Sequence, residues 1–326
     1  MVKSNISNKG DIIRLFDRTP TPRKNTDVVC PHFLNFAWAY GCRFRCAWCY
    51  LGGTFRYLSY KTQDHSVPPH FKSREKIAKE VAKFLKIADK PYVLNAGELT
   101  DGLVGESLKA PFSKFIMPMF KGTEHKVLFL TKDVEIQNFL ENDWQDNAIL
   151  AWSMNAYEVA ARFEKRAPLV IDRIQAAKKV SEAGYTVRVR LDPMVPFKDM
   201  PRLCKPEPAS MYPTIDWEEA YKRVIHDICV TFTPERVTLG TLRGLPSTIA
   251  AALDREWTKY LSESSNWGRK PDIETRFALY KVAIKEFERF DVGKISVCKD
   301  TKAMWKLLKK FRCRLDYKNM TCNCLN

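Results

Sequence analysis

Short apolar runs alternate with segments of helical apolar spacing through most of this chain, and that alternation constrains its fold more than any other feature. The runs occupy residues 32–40, 92–95, 126–131, 149–154, 186–191 and 236–240, and each is of strand length. Between them, residues 73–88, 133–140, 167–183 and 217–230 place apolar side chains three and four apart, as an amphipathic helix does. Six strand–helix units in one chain require parallel strands joined by right-handed crossovers. The expected architecture is α/β, a barrel or an open doubly wound sheet, with functional residues at the C-terminal strand ends.

The 326 residues and their 45% hydrophobic content supply a sizeable core. Residues 1–28 are polar, and Thr19-Pro20-Thr21-Pro22 reads as an extended arm. Residues 29–290 are expected to form the barrel, ending in a helix over 272–290, and residues 291–326 a cysteine-bearing extension. Residues 198–213 hold four prolines and no clear period, which predicts a loop over the barrel mouth. No apolar run of about eighteen residues and no apolar signal-peptide centre is present, so the chain is expected in the cytoplasm and away from membranes.

Lys and Arg number 54 against 38 Asp and Glu, a formal charge of +16 that draws a protein toward polyanions. Nucleic acid is the expected partner, and a solvated lysine surface is the plain alternative. Ten cysteines without a secretion signal point to metal ligation or buried thiols, not to a disulfide framework. Three of them form Cys42-x3-Cys46-x2-Cys49 just past the first strand. Soft thiolates at this spacing suit an iron–sulfur cluster or zinc, but a closed zinc site needs a fourth ligand, and the next histidine is His65. Three ligands on a four-iron cluster leave one iron open.

That spacing resembles the radical S-adenosylmethionine (SAM) superfamily without gap or substitution. The resemblance implies a partial (β/α)6 barrel in which Cys42, Cys46 and Cys49 hold a [4Fe–4S] cluster that cleaves SAM. Ala96-Gly97-Glu98, at the end of the second strand, stands where the superfamily presents backbone groups to the SAM ammonium. From about Val29 to Gly244 the chain is similar to the spore photoproduct lyase branch, through Cys49-Tyr50-Leu51, Leu130-Thr131-Lys132, Trp152-Ser153-Met154-Asn155 and Ala183-Gly184-Tyr185. By that resemblance Lys132 pairs with the SAM carboxylate, Ser153 and Asn155 lie at SAM, and Tyr50 lies beside the cluster in radical transfer. Arg190 and Asp192 are expected to face the interior, because barrel strands keep one face inward, and Arg190 is expected to contact SAM or substrate there.

One departure stands out. The lyase branch carries a hydrogen-donor cysteine just after the second strand, and here Glu98 occupies that place. The preferred expectation is therefore a related reaction on thymine C5 in DNA: isomerisation of 5-N-α-glycinylthymidine to 5-C-α-glycinylthymidine, as in bacteriophage thymidine hypermodification. A lesion-reversing lyase is the alternative within the branch, and a zinc-stabilised nucleic-acid-binding protein the alternative outside it. A reductant such as flavodoxin or ferredoxin is implied. Cys298, Cys313, Cys322 and Cys324 are candidates for a second iron–sulfur cluster or zinc, or are free thiols of a chain end. Cys30, Cys204 and Cys229 read as buried or incidental. Trp48, Tyr57 and Tyr60 are candidates to stack a flipped base, or plain packing.

Overall fold

The computed structural model describes residues 11–16, 27–30, 33–59, 67–203 and 214–326. Its main sheet has eight strands that neighbour one another in chain order: β1 (Ile13–Phe16), β2 (Phe33–Phe36), β3 (Val93–Asn95), β4 (Lys126–Thr131), β5 (Ala148–Met154), β6 (Thr186–Met194), β7 (Arg236–Thr241) and β8 (Ile295–Val297). β1 runs antiparallel to β2, and every later pairing is parallel. The sheet curls into a partial barrel with helices outside it. All six expected strands form. β1 and β8 add to them from segments expected to be an arm and an extension, so the sheet draws on residues on both sides of 29–290.

The alternation of side chains along each strand sorts two cores. Val93, Leu128, Ile149 and Ala151 meet inside the curl, joined by Leu130 and Cys324. Their sequence neighbours Leu94, Val127, Phe129, Leu150 and Trp152 point outward into the larger core beneath the helices. The same period on β6 sends Val187, Val189 and Leu191 outward, and hence Arg188, Arg190 and Asp192 inward.

The helices are set by local chemistry. α1 (Arg74–Ile87) starts where Ser73 Oγ accepts from the backbone N–H of Lys76, and α2 (Val170–Glu182) stops before Gly184, whose φ of +86° favours glycine. Asp272 caps α3 (Ile273–Glu288) in the same way. Two further helices, over residues 112–120 and 302–311, lie outside the helical segments expected from the sequence. Residues 204–213 of the expected mouth loop, most of the expected N-terminal arm, Tyr60 and Cys204 lie outside the described residues. Among the described residues, no helix is long and apolar enough to cross a membrane.

The tail closes the end of the curl opposite the strand C-termini. Arg188 donates to the carbonyls of Asn323 (2.6 Å) and Leu325 (2.8 Å), Asn323 Nδ2 donates to Val189 O (3.0 Å), and Asn323 also bonds Thr238 Oγ1 at 2.8 Å. The barrel interior is thus filled from below, and the space above it faces the strand C-termini.

Candidate active site

The cysteine loop leaves Gly41 with φ +87°, and a Cβ there would lie 2.2 Å from Pro68 O, so only glycine fits. Backbone bonds then fix its path: Gly41 N–H donates to Leu99 O (2.9 Å), Cys42 N–H to Val67 O (2.8 Å) and Ala47 N–H to Phe163 O (2.8 Å). Arg45 and Cys46 pair across a short ladder with Lys165 and Glu164. Cys49 caps the helix Tyr50–Thr54.

All three cysteines line one cavity of about 470 Å³ at the strand C-termini. A smaller cavity of about 230 Å³ reaches the same three from the opposite side. Burial pushes each thiol up, Cys46 to about 12, while Lys132 works against the rise at Cys46 and Cys49. Such thiols become thiolates when a metal displaces the proton. Three soft thiolates on one short loop suit a four-iron cluster, which takes each thiolate on a separate iron and leaves one iron open, better than a closed four-ligand zinc site.

Two walls flank the loop. On the near wall, Lys132 Nζ lies 3.8 Å from Glu164, which also takes a 2.7 Å bond from the buried Arg173. Burial opposes the charge on Lys132, yet Glu164 and Cys46 hold its ammonium above the ordinary value. Ser153 Oγ donates to Asp192 O at 3.3 Å and faces the cavity. Asp101 accepts from Thr131 Oγ1 (2.6 Å) and from the N–H groups of Lys132 (2.8 Å) and Leu103 (3.0 Å), and burial with Asp133 nearby pushes it up to about 6.

On the far wall, Asp192 lies between two guanidinium groups. Arg190 donates to it at 2.9 and 2.7 Å, and Arg243 at 2.9 and 2.8 Å. Burial alone would raise the Asp192 carboxyl; the two arginines hold it well below the carboxylate range. Between the walls, the Tyr50 hydroxyl donates to Glu98 O, and Lys299 Nζ donates to Glu98 Oε1 at 2.9 Å.

Tyr50, Gly97, Glu98, Lys132, Ser153 and Arg190 therefore share one cavity with the cysteines. Gly97 serves packing as well, because a Cβ there would lie 2.3 Å from Leu130 O. Ala96 and Asn155 stand behind the wall. Ala96 O accepts from Trp38 Nε1, and Asn155 bonds Pro193 O, Ala156 N–H and the Tyr221 hydroxyl. Trp48 reaches the cavity with its ring 5.3 Å from Phe163, while Tyr57 is 61% exposed.

Of the tail cysteines, Cys298, Cys322 and Cys324 gather beneath the cavity, and Cys30 joins them. Cys313 is exposed beside Glu288 and Arg314. A hydrogen bond from Cys322 lowers the Cys324 thiol to about 7. Sequence reasoning missed Arg243, Lys299, Asp101 and Glu164. The one signal for Arg243 was a basic residue just past a strand end, the placement Lys132 has after β4.

Parallel strands curled around a cysteine loop at their C-terminal ends make this the partial barrel of radical SAM proteins. Spore photoproduct lyase complexed with dinucleoside spore photoproduct shares the fold, with a TM-score of 0.62 and 17% identity over 81% of this chain and 75% of that one. A double mutant of spore photoproduct lyase with bound AdoMet and dinucleoside spore photoproduct matches with a TM-score of 0.62 and 17% identity, over 86% and 78% of the two chains. No curated protein matches the sequence. The family profile of spore photoproduct lyase matches residues 33–204, more than half of the chain, and the chain belongs to that family.

Proposed function

We propose that this chain is a radical SAM enzyme acting on the C5 substituent of a thymine base in DNA, and that its reaction is isomerisation of 5-N-α-glycinylthymidine to 5-C-α-glycinylthymidine. When bound, a [4Fe–4S] cluster and SAM supply a carbon-centred radical able to take hydrogen from carbon. Cys42, Cys46 and Cys49 would hold the cluster. Lys132, kept cationic beside the loop, suits the carboxylate of an amino-acid cofactor, and Ser153 offers a short hydroxyl at the next strand end.

The observation that carries the choice of reaction is Glu98. By the resemblance to the lyase branch it takes the place of the hydrogen donor, and Lys299 pairs with it at 2.9 Å. A carboxylate in that pair has no hydrogen atom to give. Among the described residues, the only cysteines lining the cavity are the three of the loop. An isomerisation can return hydrogen to the substrate itself, so it needs no thiol at that place. The second reading, a lyase that reverses a thymine lesion, is favoured by the family match over residues 33–204.

DNA as substrate agrees with the +16 charge, and a flavodoxin or ferredoxin is the proposed reductant. The test supplies the reconstituted, reduced protein with two DNAs, one holding glycine-linked thymidine and one holding the dimer lesion, and follows product by mass and retention. Conversion of the glycine-linked base to an isomer of unchanged mass is the expected outcome. Reversal of the dimer with no isomerisation overturns the assignment in favour of the lyase.

A further inference from the structure

Deepening that functional reading, we propose that Arg243, backed by Arg190, binds a carboxylate carried on the C5 arm of the substrate base. The argument is a count of charges on the far wall. Asp192 is one carboxylate between two guanidinium groups, which leaves one positive charge in excess. The other groups there cancel it only in part. Glu98 and Lys299 neutralise each other. The Cys298 thiol accepts from Arg190 Nη2 at 2.9 Å, so that arm of Arg190 is already engaged. Cys324, with its thiol lowered to about 7, offsets part of the charge on Arg190, which leaves Arg243 as the cation to be matched.

Among the described residues, two other carboxylates at the barrel, Glu235 and Glu164, are flanked by cations in the same way, and they show what becomes of the extra charge. At the barrel bottom, Glu235 lies between Arg188 and Arg236, and there the carbonyls of the tail, at Asn323 and Leu325, take the surplus donors. On the near wall, Glu164 lies between Lys132 and Arg173, and the accessible cation, Lys132, points into the cavity. Arg243 is the accessible member on the far wall, with its side chain 16% exposed against 18% for Lys132. Its Nη1 has only two long contacts among the described residues, to Thr241 O and Cys298 O at 3.3 Å each. Gly240 leaves it room, since a Cβ there would lie 2.3 Å from Asp192 Oδ1 and 3.0 Å from Arg243 Nη1. The far wall is therefore a preformed anion site, and a planar guanidinium suits a carboxylate. A glycine-bearing thymine has one; a thymine dimer has none on its bases.

Binding to the reconstituted full-length protein tests this, by equilibrium dialysis of 5-carboxymethyl-2′-deoxyuridine against its amide. The acid is expected to bind about tenfold more tightly than the amide. R243Q is expected to erase that preference and R243K to keep part of it, with melting curves confirming the fold. G240A, which keeps every charge, is expected to weaken the preference. Equal binding of acid and amide by the unaltered protein overturns the site, as does a preference that survives R243Q. If thymidine 5′-monophosphate, compared with thymidine, shows the gain that R243Q removes, the anion is a backbone phosphate and the base-arm assignment falls. An equal loss of SAM affinity in R243Q would place the cofactor carboxylate there and also overturn it. Absence of 5′-deoxyadenosine from the unaltered protein refutes the enzyme reading, whereas its presence without a carboxylate preference refutes this site alone.

Discussion

On the wall beside the cysteine loop, Glu164 lies between Lys132 and Arg173; on the opposite wall, Asp192 lies between Arg190 and Arg243. The charge count is the same and the surroundings differ. Arg173 is buried behind its carboxylate and bonds backbone carbonyls at Pro168 and Ser153, so the near wall presents a single point charge. Both arginines of the far wall line the cavity, so it presents a fork of donors. Each carboxylate thus positions a cation more than it neutralises it: one wall is built for a compact charge, the other for a planar one.

Removing either central carboxylate should have the largest effect. Asp192→Asn and Glu164→Gln each leave two buried cations facing one another, and each is expected to cost about 3–5 kcal/mol in denaturant unfolding. If one is tolerated and the other is not, the two walls are not equivalent. Lys132→Met is milder for the fold, because Arg173 still pairs with Glu164. It should weaken SAM binding about tenfold or more, read by equilibrium dialysis; unchanged affinity would remove Lys132 from the cofactor site. Gly240→Ala pushes a methyl group into the Asp192–Arg243 pair and should cost about 1–3 kcal/mol, with no counterpart on the near wall.

The smallest effect concerns the third cluster, at the barrel bottom. Burial opposes ionisation of Glu235, but Arg236, Arg188 and Lys294 hold its carboxyl at about 2, below the ordinary 4.5. A lowered carboxyl contributes stability that is present above about pH 4.5 and is lost as pH falls toward 2. With solvent screening that contribution is about 1–2 kcal/mol, and Glu235→Gln should flatten the pH dependence of unfolding in that window. An identical slope in the variant would show that the partly exposed cluster adds nothing.

Legibility from sequence followed the range of the physics. The cysteine loop is a local motif, and Lys132, Ser153 and Arg190 sit at or near strand ends that periodicity locates. Ala96 and Asn155 are one and two residues from cavity groups, yet strand alternation and a buried hydrogen-bond set turn them away from it. Asp192 with Arg243, and Glu98 with Lys299, join segments 51 and 201 residues apart. Only sheet register brings such pairs together, and no periodicity reports it. β8 is three residues long and β1 four, too short for an apolar run to announce them. Cys30 is buried, as expected, and a short ladder between Val28–Val29 and Asp300–Thr301 brings it toward the tail, while Cys313 is exposed.

The most direct test of the account is formation of 5′-deoxyadenosine by the anaerobically reconstituted protein given SAM and a reductant, with Cys46→Ala alongside. The unaltered protein is predicted to carry a four-iron cluster and to release deoxyadenosine, and the variant to do neither. An intact cluster that yields no deoxyadenosine, or a Cys46→Ala protein that yields as much as the parent, would contradict it.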